Sequence, residues 1–191
     1  SMNMFEIGHS LARQFGPEQW TLYKGKHLLS FLDNHDVERI ASILTNREHL
    51  FPAYGLLFGM PGVPAVYCGR EWGIEGKKSQ GDAALRPALE KPEQNALTDF
   101  IARLARAHRS SRALCHGAYR NVVLTNKQII FERACDGERV LVAINADAAP
   151  YTAHFDAGCG TALDLITGET HDFGGGSQLA PYSVAYWKME R

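Results

Sequence analysis

The sequence has no apolar run of about 18 residues, so no segment is a candidate transmembrane helix. It has no charge bias either. Its 20 Lys and Arg oppose 21 Asp and Glu, for a net charge of -1. No face is forced to be basic, which makes nucleic acid and anionic membranes poor partners. Cysteine is scarce. Cys68, Cys115, Cys135 and Cys159 include no C-x-x-C pair, which argues against a zinc site. They read as four reduced thiols of a cytoplasmic protein rather than a disulfide framework. His9, His27, His49, His108, His116, His154 and His171 show no H-x-x-x-H spacing and read as surface or packed histidines. Ser30 lacks a G-x-S-x-G context, and neither a P-loop nor a G-x-G-x-x-G is present. No cofactor or metal is assigned. No leader peptide is visible, and Ser1-Met2 reads as an expression remnant. The natural N-terminus is expected further upstream, so secretion of the whole protein stays open.

What is present suits a globular protein. Of 191 residues, 45% are apolar and 21% charged, enough to bury a core in one or two domains. Ile7, Leu11 and Phe15, at i, i+4 and i+8, predict a helix over residues 3–15, ending near Gly16-Pro17. A short buried strand follows at His27 to Phe31, then a helical piece at Val37 to Leu44. Asn46 is a candidate N-cap for a further helix ending at Gly59, with Pro52 in its first turn. Val63 to Cys68 reads as a second strand. Pro92 is placed in the first turn of another helix, whose apolar face is Leu97, Phe100, Ile101, Leu104 and His108. Strand, helix, strand, helix is a piece of a parallel sheet.

From about Ala113 the texture changes. Short β-branched and aromatic runs alternate with turn signals. Strands are expected at Tyr119–Leu124, Gln128–Ala134, Arg139–Asn145, Tyr151–Phe155, Thr161–Ile166, Thr170–Phe173 and Tyr182–Lys188. Thr125-Asn126 and Asp136-Gly137 are the expected hairpin turns. That many short strands in so few residues read as an antiparallel sandwich.

The chemistry is concentrated in Phe31-Leu32-Asp33-Asn34-His35-Asp36, at the tip of the first strand. A (β/α)-barrel presents active-site side chains at such strand tips. The hexapeptide resembles the fourth signature of the α-amylase superfamily (glycoside hydrolase family 13). The run Gly62 to Gly73 resembles the last barrel strand of that superfamily, and Leu85-Arg86-Pro87 resembles the stretch after it. The order of segments and the β-rich tail fit over nearly the whole chain. The fold class implied is α/β plus all-β: a partial (β/α)8 barrel, residues 1–112, then an antiparallel β-sandwich, residues 113–191.

The resemblance implies a retaining hydrolase acting on α-1,4 glucosidic bonds, with α-1,6 bonds as a further option. Its substrates would be α-glucans, maltooligosaccharides or cyclodextrins. Asp36 would be the transition-state stabiliser, and His35 and Asn34 would be substrate-binding, with Asn34 also pinning the loop. Read without the resemblance, Asp36 is a helix N-cap. Asp33 is expected to pair with Arg39 or Arg70. Glu71 is expected to be architectural and Arg86 to form a structural ion pair. Trp72 either stacks on a sugar or fills the rim. Cys68 replaces an aromatic, and the loop Gly76 to Gly81, with Lys77 and Lys78, would line the cleft.

Glycoside hydrolysis needs two carboxyl groups flanking the bond. In this superfamily the nucleophile and the acid lie on earlier barrel strands, which would need well over about 100 further residues upstream in a barrel of about 250. The chain is therefore expected to be inactive alone. Its barrel strands, apolar on both faces, are expected to find cover in a homo-oligomer or in a non-barrel arrangement. The reading from another class is a non-catalytic carbohydrate-binding or structural β-sandwich module with a helical leader.

Overall fold

The computed structural model describes residues 3–189. Ser1 and Met2, read above as an expression remnant, lie outside the described residues. Helix α1 spans Met4–Phe15 and is capped by Asn3, whose side chain accepts from the amides of Phe5 and Glu6. Its buried face is Met4, Gly8, Leu11 and Phe15. Leu11 and Phe15 of the expected stripe are buried, and Ile7 packs half-buried against the same core.

Strand β1 is Leu29–Ser30, and β2, Val63–Pro64, lies parallel to it. Both are shorter than the sequence predicts. The Val63 amide donates to Leu28 O and the Ala65 amide to Ser30 O, each at 2.8 Å. Pro64 falls between these donors, where a missing N–H costs the ladder nothing.

Between the strands, α2 covers only Ile40–Ile43. Val37 to Arg39 stays outside it because Arg39 is extended, at φ -61° and ψ 134°. Asn46 caps a 3-10 turn, Arg47–His49, which leads into α3, Leu50–Gly59. A short α4, Asp82–Leu85, follows β2. Helix α5 is Ala96–Ser110, capped by Asn95 rather than begun near Pro92. The Asn95 side chain satisfies the Thr98 amide, a bond proline cannot replace. Leu97, Ile101 and Leu104 are buried as expected. Helix α6, Arg112–His116, lies where the sequence predicts no separate element. Ser111 nucleates it by accepting from the Leu114 amide.

The C-terminal part is a six-stranded antiparallel sheet with a two-stranded pair beside it. The strands are β3 (Ala118–Leu124), β4 (Gln128–Cys135), β5 (Glu138–Asn145), β6 (Tyr151–Ala153), β7 (Thr161–Asp164), β8 (Thr170–Asp172), β9 (Ser177–Leu179) and β10 (Val184–Met189). The large sheet runs β3-β4-β5-β10-β7-β8, and β6 pairs with β9. Strand β9 escaped sequence reading: its three residues follow Gly174-Gly175-Gly176 and carry one large apolar side chain, Leu179. Asp136-Gly137 turns as expected, with Gly137 at φ 85°.

The large sheet is buried on both faces. Ile129, Phe131, Val140, Val142, Ile144 and Tyr186 face a core shared with α1, α3, α5 and α6. Ile130, Leu141, Ala143 and Trp187 face a second core closed by Ala153 of β6 and Leu179 of β9. This explains why β5 is apolar at every position from Val140 to Ile144. Helix α3 reaches the sheet through glycine. A Cβ on Gly55 would stand 2.4 Å from Val184 Cγ2, and Tyr186 Oη donates to Gly55 O at 2.5 Å.

Candidate active site

The segment after β1 is held from below by a buried ion pair. Asp33 is 0% exposed and Arg70, from the segment after β2, 2%. The Asp33 carboxylate pairs with Arg70 Nε and also accepts from the Ile40 amide, the first of α2. Of the two partners expected for Asp33, the fold selects Arg70. Burial lowers the Arg70 pKa to about 10, with the Glu71 charge opposing, so the guanidinium stays charged at neutral pH.

Arg39 is equally buried but binds main chain. Its Nη1 donates to Cys68 O at 2.8 Å and its Nη2 to Leu85 O at 2.7 Å. The Tyr67 ring lies against both guanidiniums, 4.9 Å from Arg39 Cζ and 5.3 Å from Arg70 Cζ. The loops after β1 and β2 and the end of α4 are thereby tied together. Cation–aromatic contacts of this kind are stronger when desolvated. Tyr54 of α3 adds an O–H bond to Arg70 O at 3.4 Å, and burial pushes its phenol pKa up.

Above this floor, Asn34, His35 and Asp36 come to one exposed rim. Asn34 Oδ1 accepts from the Asp36 amide at 2.8 Å, an Asx turn that sets the direction of the Asp36 side chain. Asp36 is 64% exposed at its side chain and His35 48%. His35 Nε2 stands 3.3 Å from Asp36 Oδ2, and its ring lies 5.9 Å from that of Tyr67. Arg86 Nη2 donates to Asp36 Oδ1 at 3.4 Å, so the ion pair expected of Arg86 is made with Asp36. Lys78 Nζ reaches Asp36 O at 3.4 Å.

The helix-capping bond belongs to Asp33, not Asp36. Among the described residues, the recorded side-chain partners of Asp36 are His35 and Arg86, both at the surface. A solvated carboxylate beside an imidazole can accept hydrogen bonds from a polyhydroxyl ligand. Glu71 enters through its main chain, Glu71 O accepting from Thr98 Oγ1 at 2.7 Å, and Trp72 O accepts from Asn95 Nδ2 at 3.2 Å. Tyr67 belongs to the run that resembles the last barrel strand, but nothing in that run marks it as a partner of Arg39. Only the fold brings it between two arginines.

The decisive likeness is to a family model described as alpha amylase, catalytic domain, which matches residues 9–117. The chain belongs to the alpha-amylase family. A cyclomaltodextrin glucanotransferase of Niallia circulans is 28% identical over 148 residues, covering 78% of this chain and 20% of the relative. An alpha-amylase of Niallia circulans is 28% identical over 141 residues, covering 74% of this chain and 26% of the relative. The chain thus spans about a fifth to a quarter of the curated relatives it matches. Two solved structures share its fold. The alpha-amylase from Geobacillus thermoleovorans, complexed with acarbose, superposes with a TM-score of 0.80 at 18% identity, over 98% of this chain and 42% of that one. The three-domain cyclomaltodextrin glucanotransferase CldA superposes with a TM-score of 0.79 at 24% identity, over 100% of this chain and 41% of that one. In this alpha-amylase-family chain, β1 and β2 are barrel strands and the antiparallel sheets form the sandwich.

Proposed function

We propose that this chain is the C-terminal part of a retaining glycoside hydrolase of the α-amylase, neopullulanase or cyclomaltodextrinase type. It contributes barrel residues 1–112 and sandwich residues 113–191. Asp36 is its transition-state stabiliser, accepting hydrogen bonds from sugar hydroxyls as the ring flattens. His35 donates to the same sugar, and Asn34 binds and orients. The observation that carries this reading is the exposed Asp36 carboxylate after β1, with the competing cap role taken by Asp33. The substrate would be an α-glucan, a maltooligosaccharide or a cyclodextrin. Family membership favours this reading over a stand-alone binding module. All four cysteines are free, which supports a cytoplasmic placement.

In this reading the nucleophile and the general acid come from upstream segments of a longer protein. The chain alone should not turn over maltoheptaose, because one carboxylate cannot serve both faces of the bond. Reducing-sugar release that tracks the purified chain and vanishes in Asp36→Ala would refute this.

We also infer self-association through the barrel strands. Leu29, 65% exposed, and Val63, 51%, pair across the ladder, and Phe31, 45% exposed, follows β1 directly. Contiguous apolar surface of this kind is uncommon on monomers. Light scattering at micromolar concentration should show a dimer or larger species. A monomer whose strand amides resist hydrogen exchange would exclude it.

A further inference from the structure

The rim that carries Asp36 lies after β1 and β2. At the opposite ends of the same strands is a separate cavity of about 410 Å³. Its walls come from the loop before β1, from the Pro61-Gly62 turn before β2, from the end of α6 and from β3 and β4. Lys24, Lys26, His27, His116 and Arg133 all line it, and among the described residues no aspartate or glutamate does. The His27 and His116 rings meet edge to face at 5.3 Å. Lys24 Nζ donates to Pro17 O at 2.7 Å, joining two segments of the cavity wall.

Arg133 is the unusual member. It is 1% exposed, yet no ion pair among the described residues includes it. Its Nη1 donates to Gly59 O at 2.8 Å, and its Nη2 and Nε donate to Gly117 O at 3.0 and 3.2 Å. Carbonyls orient a guanidinium without neutralising it. Buried charges in proteins are normally paired. Burial lowers the Arg133 pKa to about 10, with neighbouring thiols and phenols opposing, so the charge persists at neutral pH. A buried cation and two lysines therefore face one cavity with no counter-charge on its walls.

We propose that this cavity binds a small molecule bearing a phosphate monoester. Arg133 and the two lysines together match a group carrying about -1.5 to -2 charges at neutral pH. The volume is that of a small-molecule site rather than of an inorganic anion alone. Tyr119 and the adjoining apolar wall would cover the uncharged portion of the ligand. A phosphorylated sugar and a nucleoside monophosphate share this chemistry.

Calorimetric titration of the intact chain at low ionic strength separates the sources. The arms are glucose 6-phosphate, AMP and inorganic phosphate, with glucose and adenosine as uncharged controls. At least one monoester should bind saturably and more tightly than inorganic phosphate, and its uncharged control should not bind. The double substitution Lys24→Ala/Lys26→Ala should weaken that binding by about tenfold or more, through lost charge-assisted contacts. His116→Gln, at an exposed position, should weaken it too, and provides a second variant if the first misfolds. The proposal is overturned if neither monoester binds saturably. It is also overturned if inorganic phosphate binds as tightly as the tighter-binding monoester, or if folded variants bind as well as the parent chain.

Discussion

Replacing Asp33 with alanine should cost about 3–5 kcal/mol of stability, because it strands Arg70 as an unpaired buried cation. It also removes the acceptor for the first amide of α2. Against a typical total of about 5–15 kcal/mol, this places the variant near the edge of folding. Asp33→Asn keeps the cap and the shape but not the charge, and should fall between the two. The neutral pair Asp33→Asn with Arg70→Met should recover much of the loss, since a buried ion pair is often no better than an apolar replacement. Urea midpoints of the four proteins check the series. A loss below about 1 kcal/mol for Asp33→Ala would put the pair among exposed, weakly stabilising ones.

Asp36 should show the reverse pattern. In the longer protein proposed above, Asp36→Ala should lower kcat on maltooligosaccharides by about 10²–10³, the worth of one strong transition-state contact. Its stability should change by no more than about 0.5 kcal/mol, as expected for an exposed side chain outside the buried network. A kcat that stays within about tenfold of the parent would remove Asp36 from the machinery. A large fall in melting temperature would instead mark it as structural. The two aspartates stand three residues apart, so the contrast tests the division between a buried floor and an exposed rim.

Much of the fold was legible because periodicity and turn chemistry are local. Leu97, Ile101 and Leu104 mark the inner face of α5, and Asp136-Gly137 joins β4 to β5. Misreadings arose where a distant partner decides the conformation. Residues Val37 to Arg39 have a helical pattern, yet Arg39 is drawn down by the carbonyls of Cys68 and Leu85. At the site, the motif singled out Asn34, His35 and Asp36. It offered two partners for Asp33, and charge type alone could not choose between them. Tyr67 was invisible as a functional neighbour because its two arginines converge on it only in three dimensions. The cationic cavity was equally hidden, since Lys24 and Arg133 are distant along the chain.

The sheet's helix-facing side has one more consequence. Phe131, Val142 and Tyr186 pack in the same buried cluster as Leu57, Leu104 and Met4. Cooperative units in proteins follow such contiguous packing rather than chain order. Barrel segment and sandwich therefore melt together, and the sandwich is the scaffold without which the helices behind the rim have nothing to rest on. A cut between residues 112 and 113 would not release two modules. It would bare one broken core on both products.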